Sequence, residues 1–191
     1  MAPVEPKQTA DTPSEAEMMK QMMALAKLND NHKLLSSMAG TWTSNVKMWM
    51  NPDPKAPATE SKGTATRKAI MGGRYFVCDF TGHMQMPGAD GKPKDMEFKG
   101  MSIEGYDNVK QKFVSTWCDN GGTGIMMSEG TYDAATKTFT YTGYYEGIPG
   151  MKTKFRETVA IVDANHHNFV YYEDRGQGEM KSMEISYARK K

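Results

Sequence analysis

Asp107-Asn108-Val109-Lys110-Gln111-Lys112-Phe113 places an Asp ahead of a Phe with a run of polar, turn-forming residues between them. The phrase returns as Asp133-Ala134-Ala135-Thr136-Lys137-Thr138-Phe139 and, more loosely, as Asp163-Ala164-Asn165-His166-His167-Asn168-Phe169. Aromatic and β-branched stretches flank each copy, so each reads as the turn of a β-hairpin. Hairpins in such regular succession argue for one continuous antiparallel sheet rather than helices and strands in alternation.

The strand pattern extends in both directions from these turns. Thr41 to Met50 alternates Trp42, Ser44, Val46 and Met48 against Thr43, Asn45, Lys47 and Trp49, the period of a half-buried strand. Further strands are expected over 61–71, 74–84, 95–105, 112–119, 125–131, 138–146, 152–162, 168–174 and 180–189. Gly72-Gly73 reads as a tight turn, Asn51 to Pro57 as a loop because its prolines cannot sit in a ladder, and Gly88 to Gly91 and Gly147 to Gly150 as loop tips. About ten strands joined in order would leave two exposed edges unless the sheet closes on itself, which predicts an all-β, antiparallel up-and-down barrel. Side chains need not fill the interior of a barrel this size, so a ligand cavity is expected.

Ahead of the barrel the pattern is helical. Residues 1–13, rich in Pro, Thr and charge, read as a disordered tail. Ser14 and Glu17 form a capping box that starts a Met-rich helix running to about Lys27 or Asn29. Met18, Met22 and Leu25 fall on one stripe beside Met19, Met23 and Ala26, and so wide an apolar face calls for cover. Packing on the same chain is favoured because the linker through Asp30 and His32 is short; a second copy is the alternative, leaving monomer and homodimer both open. A second helical turn, His32 to Met38, is expected to end at Gly40. The chain thus divides into a tail (1–13), a helical segment (14–40) and a barrel domain (41–191).

Composition excludes several functions. Lys and Arg number 24 against 23 Asp and Glu among 191 residues, which leaves no basic surplus for nucleic acid. Cys78 and Cys118 could form one disulfide or remain buried thiols, and spell out neither a redox motif nor a zinc site. No apolar run is long enough to span a bilayer as a helix. Pro3, Glu5, Pro6 and Asp11 stand where a signal peptide would need an apolar core; a trimmed exported chain and a cytoplasmic chain with a polar start both fit.

Catalytic motifs are absent: there is no Gly-x-Ser-x-Gly elbow, no His-Glu-x-x-His, and Gly121-Gly122-Thr123-Gly124 lacks the Lys and helix of a phosphate loop. It reads as a loop at the barrel mouth. An acid–base pair could be assembled from Asp119 and Glu104, but nothing selects it. Phe113, Ser115, Trp117 and Asp119 share one strand face, which sends Asp119 inward with Trp117 and calls for a cation from Arg74, Arg156 or Arg67. An Asp119–Arg74 pair that fixes a ligand's polar head is the functional reading, against a structural ion pair or solvent-facing rim residues. Trp42, Trp117 and Phe76 would form the wall. Tyr141, Tyr145, Tyr171, Tyr172 and Tyr187 with Glu104, Glu157, Glu173 and Glu184 could line a polar cavity. His83-Met84-Gln85-Met86 with Met96 and Met101 offers soft metal ligands, yet in a strand His83 faces away from Met84, so no metal or other cofactor is expected. His166-His167, in a turn, is expected to be solvated.

Gly72-Gly73-Arg74-Tyr75-Phe76, Gly105-Tyr106-Asp107-Asn108, Phe113 to Asn120, Lys181 to Lys190 and the stretch Met38-Ala39-Gly40-Thr41-Trp42, in this order, resemble the bacterial family catalogued as domain of unknown function 1579. The likeness spans roughly residues 30–190. It implies a calycin-like barrel related in shape to lipocalins and fatty-acid-binding proteins and frequently exported, which favours a periplasmic or secreted location; it supplies no catalytic residues. Sequence and resemblance together lead to non-enzymatic binding of a small apolar or amphipathic molecule inside the barrel. A structural or protein-interaction module with a filled barrel is the alternative, and an enzyme using a mouth carboxylate the more remote one.

Overall fold

A computed structural model describes residues 13–49, 56–88, 92–176 and 178–191. Residues 1–12 of the expected 1–13 tail, most of the proline-rich connection after Trp49 and the loop tip at 89–91 lie outside the described residues. Helices α1 (Glu15–Leu25) and α2 (Asp30–Ser37) precede strands β1 (Gly40–Met48), β2 (Thr59–Ile70), β3 (Tyr75–Pro87), β4 (Pro93–Asp107), β5 (Lys112–Asp119), β6 (Met126–Asp133), β7 (Thr138–Ile148), β8 (Met151–Asp163), β9 (His166–Asp174) and β10 (Glu179–Arg189). Each strand pairs antiparallel with the next and β10 returns to β1, with Trp42 opposite Arg189, so the sheet is a closed ten-stranded barrel with no free edge.

The repeated turns hold by one device. Asp107 Oδ1 accepts from the amides of Val109 and Lys110 at 2.8 and 3.1 Å, and Asp133 Oδ1 from Ala135 at 2.8 Å. Gln111 and Lys137 then take the left-handed conformation at φ 52° before the next strand. Phe113 and Phe139 follow as inward side chains, opposite Tyr106 and Tyr132. The third turn is shorter: Asp163 pairs directly with His166, a bulge follows, and His167 occupies the inward place held by Phe in the other two. His167 is therefore buried and not solvated, while His166 stays exposed against Asp163. Gly72 and Gly73, at φ 67° and 84°, make the tight turn between β2 and β3.

One barrel end is plugged. Asn29 caps α2 in a capping box with His32, and the helix lays Leu35 and Met38 across Phe76, Phe113, Phe139 and Tyr141. The helix starts two residues earlier than expected and stops at Met38; Gly40, at φ 134°, already belongs to β1. Arg189 locks this end by donating to the carbonyls of Ser37, Ala39 and Ala164 at 3.0, 2.6 and 3.0 Å, while its guanidinium lies 4.1 Å from the Trp42 ring centre.

The Ser14–Glu17 capping box starts α1, yet no residue of that helix is buried. Met18, Met22 and Leu25 are 41, 65 and 43% exposed, so the expected packing of this stripe on its own chain does not occur. The plug position is already filled by α2, and among the described residues α1 is held at its C-terminal end: Asn108 donates to the Leu25 and Lys27 carbonyls, and Arg74 to that of Ala26. Cys78 and Cys118 are both free and half-buried. They sit at alternate strand positions with opposite directions, Cys78 lining the interior and Cys118 facing outward against the Met101 carbonyl. A disulfide through the barrel wall is thereby ruled out.

Candidate functional site

Strand alternation directs every second side chain inward, and between the plug and the opposite end the inward set leaves a chamber of about 460 Å3. Its side wall is apolar, from Trp42, Val46, Ala65, Phe80, Ile185 and their half-buried neighbours Phe98, Trp117 and Phe169. Trp117 lies flat across β4 because Gly100 stands beneath it; a Cβ there would come within 2.3 Å of the indole. The open end carries Met48 and Met183, opposite one another in register, and the facing pair Met84 and Met96. Thioether side chains adapt to shapes that branched ones refuse.

Polar groups gather deeper. Arg67 of β2 and Glu104 of β4 form an ion pair, their side chains only 11 and 12% exposed. Ser102 Oγ donates to the second Glu104 oxygen at 3.2 Å, and Arg67 Nη1 lies 3.3 Å from Met38 Sδ. Burial works against the guanidinium's charge, but the Glu104 carboxylate outweighs it and Arg67 stays firmly protonated. Glu157 of β8 stands in register between Tyr141 of β7 and Tyr171 of β9, and all three line the chamber. Burial, with the nearby Glu104 charge, pushes the Glu157 carboxyl up to about 7. Desolvation raises both tyrosines. His167 is sandwiched between Trp42 and Tyr187, ring centres 4.4 and 4.5 Å away, and its Nδ1 has no partner. Burial and the charges of Arg67 and Arg189 pull it down to about 3, so it is neutral at physiological pH.

Of the residues singled out from sequence, the chamber brings together Trp42, Glu104, Trp117, Asp119 and Tyr141. Phe76 is fully buried in the plug and is not chamber wall. The Asp119–Arg74 pair does not exist: Arg74 is exposed beside the β2–β3 turn at the plugged end, whereas Asp119 closes β5 at the open end. Asp119 instead accepts from the Trp117 indole at 2.8 Å and the Gly121 amide at 2.9 Å. The interior cation is Arg67, because 61, 63, 65 and 67 share the inward face of β2. Arg156 faces outward to Glu179 and Tyr172. Tyr145 and Glu173 line the chamber, bonded to each other at 2.9 Å, whereas Glu184 pairs with Lys181. His83 bonds Asp95, and Met101 is exposed while Met96 lines the chamber, so the suspected thioether–imidazole cluster does not converge. Among the described residues no cluster of His, Cys, Asp or Glu has the geometry to hold a metal ion.

Glu157 makes stability depend on pH in a defined sense. Its folded-state value is raised from 4.5 to about 7, so its contribution is fully present below pH ~4.5 and is lost as pH rises through ~7. Glu157→Gln is therefore expected to stabilise the fold at pH 8 by on the order of 1–2 kcal/mol, discounted for water in the chamber, and by almost nothing at pH 4.5. Denaturant titration of both proteins at the two pH values checks this. The opposing titration of His167 is common to both and cancels in the difference.

A closed antiparallel barrel, plugged by a helix and hollow towards the other end, places the protein in the calycin-like class. The sequence model of the family described as "Protein of unknown function (DUF1579)" matches residues 27–189, and the chain belongs to that family. Among solved structures it is similar to Rv2717c from M. tuberculosis, at 14% identity and TM-score 0.60, over 86% of this chain and all of that one. It is also similar to the S-type phycobiliprotein lyase CPES from Guillardia theta, at 9% identity and TM-score 0.55, over 88% of this chain and 97% of the other. At these identities the likeness is one of fold. No curated protein matches the sequence.

Proposed function

We propose that this protein binds a small amphipathic molecule inside the barrel and performs no chemistry on it. The observation that carries this reading is the half-filled interior. Leu35 and Met38 pack with aromatic side chains at the α2 end, while the other half keeps a chamber of about 460 Å3, within the range of small-molecule sites. An apolar wall above a polar floor suits a ligand with a hydrocarbon or aromatic body and one polar head. The methionines at the entrance would let bodies of different shape pass. The Cys78 thiol in the chamber lining, pushed up to about 11 chiefly by burial, is not a thiolate at neutral pH. The exposed methionine face of α1 supports a second and compatible role, as a contact surface for another protein.

Trp42 and Trp117 both face the chamber, so their fluorescence reports occupancy. Titration with a neutral apolar probe such as N-phenyl-1-naphthylamine is expected to show saturable energy transfer from tryptophan, together with a one-to-one complex by native mass spectrometry. Ser61 stands inward at the start of β2, at the chamber's open end; Ser61→Trp should abolish uptake while leaving the melting temperature unchanged. Probe binding that survives this block would place it on the outer surface and overturn the reading.

A further inference from the structure

Every chamber carboxylate except one already has a partner. Glu104 takes Arg67 and Ser102, Asp119 takes the Trp117 indole and the Gly121 amide, and Glu173 takes Tyr145 and Arg175. Among the described residues, no hydrogen bond or ion pair reaches the Glu157 carboxyl. The tyrosines on either side of it in register, Tyr141 and Tyr171, likewise carry hydroxyls with no hydrogen bond. An unpaired carboxyl held away from bulk water is costly unless something pairs with it.

Charge decides what that something is. The deep end of the chamber holds one cation, Arg67, and two carboxylates, Glu104 and Glu157. Arg67 is committed to Glu104, and its remaining unpaired Nε is shut off from the chamber. At that floor an acidic head would therefore meet two carboxylates and, among the described residues, no accessible cation, since the other cation of the lining, Lys62, stands towards the open end. A protonated amine would meet a free carboxylate with two tyrosine hydroxyls beside it as further acceptors.

We infer that the occupant is an amphipathic amine, its basic nitrogen held at the chamber floor by Glu157 with Tyr141 and Tyr171 and its apolar body lying along Trp42, Phe80 and Trp117. This deepens the proposed function and rests on it. The titratable and charged groups that line the chamber with Glu157 are Glu104 from β4, Arg67 from β2, Tyr141 and Tyr145 from β7, and Tyr171 and Glu173 from β9. Of these, Glu104 acts on it in the same direction as burial, and an approaching ammonium reverses both.

The test uses a matched set with one body and three heads, n-decylamine, n-decanol and n-decanoate, each below its micelle concentration and titrated by tryptophan fluorescence and calorimetry at pH 7.5. The amine is expected to bind about tenfold or more tighter than the alcohol, and the carboxylate weakest. Glu157→Gln should erase the amine's advantage and leave the alcohol's affinity within about twofold, which also shows that the variant is folded. Glu129→Gln removes the same charge from the outer wall, where Glu129 pairs with Lys110, and should change none of the affinities. Decanoate or decanol binding as tightly as the amine, or an amine preference that survives Glu157→Gln or disappears in Glu129→Gln, overturns the head assignment while the chamber stands. Failure of all three ligands to bind, in a protein that also excludes the neutral probe, overturns the chamber reading itself.

Discussion

Glu104→Ala is expected to cost the fold roughly 3–5 kcal/mol, because it strands a buried guanidinium. Arg67 is 11% exposed, its Nε already lacks a partner, and the substitution would leave it only the weak acceptor Met38 Sδ. Loss of Glu104 also relieves its repulsion of Glu157, but near pH 7 that carboxyl is partly neutral already, so the relief is the smaller effect. For a chain of this size the loss corresponds to a fall in melting temperature of roughly 10 °C. The double variant Glu104→Leu with Arg67→Met should recover most of it, since apolar groups of similar volume can replace a buried pair. Thermal melts of Glu104→Ala, of Glu104→Leu and Arg67→Met singly, and of the double separate the cases. A single-variant loss under about 1 kcal/mol, or additive losses in the double, would mean that the pair is effectively solvated and worth no more than a surface bridge.

That ion pair marks the boundary of what could be read from sequence. The barrel was legible because its signals are local: an Asp that caps its own turn, a left-handed residue four positions later, and alternation that runs through each strand. Alternation also places Trp42, Trp117, Asp119, Tyr141 and Glu104 on interior faces from sequence alone. It cannot say which interior residues meet, because partners across a closed barrel depend on registers summed around ten strands. Charge and length point Arg74 to Asp119, yet the two stand at opposite ends of the barrel, while Arg67 meets Glu104 across β3. His167 escapes the sequence pattern for a more local reason. The third turn is two residues shorter than the other two, so the first inward residue after it is His167 while Phe169 is the next; counting back by twos from Tyr171 through Phe169 finds it. The stripe on α1 carries a signal of amphipathicity but none about its partner, since α2 already fills the plug position.

Phe113→Ala is expected to cost roughly 3–5 kcal/mol, whereas Phe80→Ala should cost less than half as much although both residues are buried Phe on interior faces. Phe113 is 2% exposed, with Tyr106 and Phe139 each packed edge-on at 4.9 Å between ring centres, beneath Leu35 and Met38 of α2. Truncation there opens a sealed void that the rigid hairpins on both sides cannot collapse, so the lost transfer energy and the cavity add. Phe80 is 8% exposed and borders the chamber, with Phe98 5.9 Å away. One side of it already lacks protein neighbours, so truncation enlarges a space that water can enter and creates no new sealed void. Denaturant melts give the two costs directly. The ligand response should run the opposite way: Phe80→Ala alters the affinity for the bulky neutral probe, and Phe113→Ala, while still folded, leaves it unchanged. Equal costs for the two would mean that both halves of the barrel are packed alike, and a barrel packed throughout has no interior site to offer.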